Sequence, residues 1–171
     1  QAGADYTIGT RKGIQNDKPI IGPYNVNKNG SKDMYSKGAN LLHTIRQITN
    51  NDELWRKTLR GLNERFYHKT VSSIQVEEFI SESIGLDLKY VFNQYLRDVR
   101  IPIFEYKIDE NGLNYRWSNS IDNFDMPLDI ELNGEKTRLF PKNNWSEYKT
   151  KVNTLEIDRN FYIMTKKKAS K

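Results

Sequence analysis

The chain has 171 residues, enough for one medium domain or two small ones; at this length a fold buries roughly 70% of the surface its unfolded form exposes and needs no covalent staples. It contains no cysteine, which excludes disulfides and thiolate metal sites, and no apolar run approaches the roughly 18 residues of a membrane span. Of the net charge of +5, Lys166, Lys167, Lys168 and Lys171 supply four, leaving +1 for residues 1–165; this disfavours nucleic-acid binding and predicts a solvated, disordered basic tail over 166–171.

Residues 1–14 read as the end of a helix weakened by Gly9 and Gly13. Residues 15–33, QNDKPIIGPYNVNKNGSKD, are rich in Pro, Gly and Asn and predict a long irregular loop, of the kind that often lines a functional site. Asp33 is a plausible N-cap for a helix running to about Thr49, roughly 25 Å long at about 1.5 Å per residue. Its apolar stripe would be Met34, Gly38, Leu41, Leu42, Ile45 and Ile48. A second helix follows Asn51, with Leu54, Trp55, Leu59, Leu62 and Phe66 on one face. A third has Ser72 and Gln75 at capping-box spacing and Gly85 as its stop. A fourth, LDLKYVFNQYLRDV, is capped by Asp87.

The texture changes near Ile101-Pro102 from helical spacing to alternation. IFEYKI and LNYRWS flank the turn DENG, and FDMPLDIEL and KTRLF flank NGE, an Asn-Gly hairpin signal. Pro127 argues for an edge strand or a bulge, and TLEID could pair with FYIMT through RN. The predicted class is α+β: an antiparallel helical layer over residues 1–100, then a small β-sandwich over 101–165.

Little of the chain carries recognisable chemistry. His43 is followed by TIRQ rather than Glu-x-x-His, and His68 falls 25 residues later, so the chain has no zinc site of its own. Glu77 and Glu78 point different ways on one helix, while Asp109, Glu110, Asp122 and Asp125 belong to turns. The aromatics from Tyr90 to Trp117 read as core and seam rather than a base-stacking platform, because the body lacks the charge of a basic groove. Tyr35, in a first helical turn, is most simply a packing residue. A tyrosine phenol can nevertheless donate to a developing oxyanion while neutral at pH 7, and a helix start adds a positive field there. Gly38 leaves space beside it for a ligand or another backbone.

MYSKGANLLHTIRQI, residues 34–48, resembles the Tyr-x-Lys-Gly helix of the zinc aminopeptidases of the aminopeptidase N and leukotriene hydrolase type. Residues 53–102 look like the helices that end that family's catalytic domain, and FNQYLRDVRIPIFEY is similar to its passage into a β-sandwich. The likeness covers residues 15–130, is nearest to bacterial members, and is one of texture beyond that. It implies a thermolysin-like catalytic domain in which zinc activates water, with Tyr35 as the catalytic residue that hydrogen-bonds the oxyanion. The peptide substrate's N-terminus would be the partner.

The metal helix, its glutamate, the third ligand and the Gly-x-Met-Glu-Asn strand have no counterpart in the sequence. The expectation is therefore a C-terminal fragment that binds no zinc itself, is inactive alone, and is prone to self-association through an uncovered apolar face. The alternative is a non-catalytic interaction scaffold with Tyr35 packed. Neither a compartment nor substrate-binding residues follow from the sequence.

Overall fold

The computed structural model describes residues 2–23 and 30–169. Part of the predicted 15–33 loop, residues 24–29, lies outside them. Among the described residues five helices and seven strands in two small sheets build an α+β fold, a helical layer followed by a small β-sandwich.

Helix α1 (Ala2–Gly9) leads into a 3-10 turn, Thr10–Gly13. α2 starts later than predicted, at Ser36, and ends at Thr49. Asp33 is not its cap: it lies in a 3-10 turn, Lys32–Met34, capped by Ser31, whose hydroxyl accepts from the Asp33 N–H. The Asp33 carboxylate is buried and accepts instead from the backbone N–H groups of Gln15 (3.0 Å) and Asn16 (2.6 Å), fixing the start of the long loop. The buried stripe of α2 is also rotated from the predicted one. Lys37, Asn40 and Thr44 go inward with Leu41, Ile45 and Ile48, whereas Met34 and Leu42 stay half exposed. Burial of those polar groups is tolerated because each finds a partner. Asn40 donates to Ser36 and Thr7 carbonyls and accepts from Arg11 Nε, and the Thr44 hydroxyl accepts from Tyr162 N–H.

Asn50, left-handed at φ 48°, closes α2, and Asn51 caps α3 (Asp52–Phe66) by accepting from Leu54 N–H. Only Trp55 and Thr58 of α3 are fully buried; Leu59 stays exposed. The Ser72–Gln75 capping box starts α4 (Ser73–Ile84) as predicted, and Gly85 at φ 72° ends it. The fourth predicted helix is shorter and less regular. After α5 (Lys89–Phe92) the backbone slips into a π-helical turn, Asn93–Arg97. The buried Gln94 and Tyr95 anchor that turn. Gln94 donates to Arg100 O and accepts from Ile121 N–H, and the Tyr95 hydroxyl donates to Tyr162 O at 2.5 Å.

β1 (Ile103–Asp109) and β2 (Gly112–Ser118) form the first hairpin, and β3 (Leu128–Leu132) and β4 (Glu135–Leu139) the second, whose Asn133-Gly134 turn has both φ positive. With β5 (Ser146–Tyr148), β6 (Leu155–Ile157) and β7 (Met164–Lys167), they make sheets ordered β5-β2-β1-β7 and β4-β3-β6. Three expectations fail here. β6 and β7 do not pair: β6 joins β3, and the chain crosses to lay β7 parallel to β1. Pro127 precedes a central strand rather than sitting in an edge strand, so its missing N–H costs no ladder bond. The basic segment is not a disordered tail through Lys168. Lys166 and Lys167 belong to β7, and Lys168 pairs with the buried Glu105 at 3.1 Å.

Trp117 is edge-on to Phe104 and Phe124 in the sandwich core and donates from its ring nitrogen to Met126 O. Sandwich and helices grip each other through α2. Arg138 on β4 donates to the carbonyls of Ile48 (2.7 Å) and Gln47 (2.8 Å) while forked onto Asp129. Arg11 reaches Arg159 O and Asn160 O.

Candidate functional site

The turn at Ser31–Met34 delivers the chain into α2 with Tyr35 at the junction, in helical geometry (φ −73°, ψ −61°). Its carbonyl accepts the first helical bond, from Ala39 N–H at 2.9 Å. The residue is 78% exposed, and its hydroxyl has no hydrogen-bond partner among the described residues. Tyr35 makes no side-chain cap bond at this end of α2, a 14-residue helix whose start carries a positive partial charge.

Lys37, two residues on, points the opposite way. It is 1% exposed and donates from Nζ to Asp98 O at 2.9 Å, tying the start of α2 to the end of the π-helical turn. Burial lowers the Lys37 ammonium below the usual lysine range, with Asp33 and Asp98 offsetting part of that. Asp98 is itself held below the usual carboxylate range, chiefly by its hydrogen bonds from the Arg100 side chain. The signal in the sequence for this burial is phase, since Lys37 precedes Leu41, Thr44 and Ile48 at helical spacing. Above Gly38 a Cβ would meet nothing within 4 Å among the described residues, so the surface beside Tyr35 is open. Met34 and Leu42 expose apolar area next to it.

The arrangement offers a hydroxyl donor and a helix N-terminus on an open, partly apolar wall. Among the described residues no three His, Cys, Asp or Glu gather to hold an ion. His43 is engaged with Asn160 Oδ1 at 3.1 Å, and His68 is an exposed turn residue with φ 52°. The described residues therefore do not make a site that fits a zinc ion.

The fold is aminopeptidase-like. The crystal structure of aminopeptidase A from Legionella pneumophila, in complex with aspartic acid, superposes with a TM-score of 0.65 at 16% identity, covering 82% of this chain and 18% of that one. At that identity the likeness is one of fold. The chain thus spans under a fifth of the length of that neighbour. No protein-family model matches the chain, and no curated protein matches it.

Proposed function

We propose that this chain is the part of a zinc-dependent aminopeptidase that supplies the transition-state tyrosine, with Tyr35 donating its hydroxyl hydrogen to the oxyanion of the tetrahedral intermediate. The observation that carries the reading is a tyrosine, 78% exposed and with no partner for its hydroxyl among the described residues, at the start of a helix within an aminopeptidase-like fold. A tyrosine placed for packing would have its ring covered, and this one does not.

In this reading Tyr35 contributes electrostatic stabilisation where charge develops, and the N-terminus of α2 contributes a field of the same sign. Lys37 acts behind it, holding the helix start so that the phenol faces outward. The metal has to be held by residues outside this chain, which on its own hydrolyses no peptide. The substrate is a peptide presenting its N-terminus. α1 supports the same picture: it is apolar in composition yet buries no residue. Such a surface suits a covering segment, as do the exposed Met34 and Leu42, and left bare it promotes self-association.

The test uses the longer polypeptide that the reading requires. That polypeptide, carrying His-Glu-x-x-His upstream of Tyr35, should release the chromophore from an aminoacyl p-nitroanilide, while the 171-residue chain should not. A coding sequence without that motif, or equal hydrolysis by the chain alone, refutes the proposal.

A further inference from the structure

Away from Tyr35, α4 and α5 enclose a groove of about 620 Å³. One wall is a face of α4 at helical spacing: Ile74, Glu77, Glu78, Ser81 and Glu82, closed by Gly85. The other wall is α5 and the π-helical turn, presenting Phe92, Asn93 and Arg97. Between Ile74 and Gly85 the wall is about 16 Å long at 1.5 Å per residue, three helical turns. The apolar lining combines the buried Phe92 with Ile74 and Leu86, which remain 50% and 41% exposed. Side chains of that kind left open in a concave site are more informative than scattered surface leucines.

The groove is held open by an internal clamp. Arg97 forks onto Glu77 at 2.7 and 2.9 Å, joining the two walls and neutralising both charges. What remains on the rim is Glu78, Glu82 and Asp87 against Lys89, a net charge of −2 on a chain whose total is +5. None of the three carboxylates makes an ion pair among the described residues. Asp87 spends one oxygen on Lys89 N–H, and Glu78 and Glu82 are exposed one turn apart. Nothing in the proposed reaction uses these residues.

We infer that the α4–α5 groove is a docking site for a cationic amphipathic helix of a partner protein, about three turns long, with apolar residues on Phe92, Ile74 and Leu86 and Lys or Arg residues against Glu78 and Glu82. The occupant is argued from charge complementarity and length. An acidic or neutral segment would leave the rim carboxylates repelled or unmatched, and a helix-in-groove fit satisfies the apolar wall at successive i, i+3 and i+4 positions.

The probe is a fluorescein-labelled twelve-residue amphipathic peptide with leucine on one face and lysine on the other, titrated into the intact chain. Amide chemical shifts locate it. Saturable one-to-one binding is expected, with shifts centred on residues 74–97. The double charge reversal Glu78→Lys/Glu82→Lys should weaken it at least about tenfold, or about 1.4 kcal/mol. Both residues are exposed, so far-UV circular dichroism and the unfolding midpoint should be unchanged. Leu86→Ser provides an independent check and should also weaken binding. Shifts centred on α1 and Met34, equal affinity for the double variant, or equal binding of a glutamate-for-lysine peptide would each overturn the proposal. So would burial of the groove by a second copy of the chain, read as a dimer by sedimentation. None of these results depends on peptidase activity, so failure here leaves the Tyr35 reading standing.

Discussion

Replacing Arg138 by alanine should loosen the joint between the sandwich and the helix that carries Tyr35. The guanidinium makes four hydrogen bonds, two to the last-turn carbonyls of α2 and two to Asp129. The Asp129 pair is about a quarter exposed on each side, so by itself it contributes no more than about 1 kcal/mol. The carbonyl bonds are charge-assisted and sit at the negative end of a helix, where hydrogen bonding to a charged group contributes about 1.5–3 kcal/mol and the dipole about 0.3–1. Because the carbonyls regain water when the side chain is removed, we expect a net loss of about 2–4 kcal/mol rather than the gross sum. Urea unfolding of the chain, followed by far-UV circular dichroism and tryptophan fluorescence together, measures it. Arg138→Lys should recover less than half, since one ammonium cannot serve both carbonyls and both carboxylate oxygens. A change under about 0.5 kcal/mol would refute the reasoning. So would two separate transitions in the unaltered chain, because helices and sandwich would then unfold independently.

Tyr95→Phe should cost about 1–3 kcal/mol in the same assay, because it leaves the buried Tyr162 carbonyl without its donor; unchanged stability would mean that another donor replaces it. Glu105 governs part of the acid limb. Burial would raise its carboxyl, but the hydrogen bonds from Arg116 and Lys168 outweigh that and hold it below the usual carboxylate range. Its folded pKa therefore lies below its unfolded one, so the stability it confers is present above the unfolded value of about 4.3 and disappears as pH falls through the folded one. Glu105→Gln should lower the melting temperature at pH 7 and flatten its fall toward pH 3; parallel profiles would refute this.

Much of the fold was legible because local signals were unambiguous. Asn51, the Ser72–Gln75 box, Gly85 and the Asn-Gly turn each satisfy backbone groups within a few residues, so sequence alone locates them. The errors came where distant partners decide. Lys37, Asn40 and Thr44 go inward only because Asp98, Arg11 and Tyr162 meet them, and a hydrophobic stripe cannot register such partners. The lysines at the C-terminus read as a disordered end for the same reason: they do stay exposed, but their place in a strand beside β1 depends on a crossover from β6 and on the buried Glu105. Of the candidate site, the position of Tyr35 at a helix start was readable. The sequence leaves its ring open to two readings, exposed or packed, and it misses the exposure of Met34 and Leu42 beside it because their spacing assigns both to the buried face.

The most direct test of the role proposed for Tyr35 is kcat for Tyr35→Phe in the longer polypeptide that the proposal requires. Loss of one oxyanion donor costs about 2.7–4 kcal/mol, so kcat should fall about 10²- to 10³-fold with KM nearly unchanged. Folding stability should stay within about 0.5 kcal/mol, since the hydroxyl has no partner among the described residues. A variant that keeps wild-type kcat at unchanged stability would contradict the assignment.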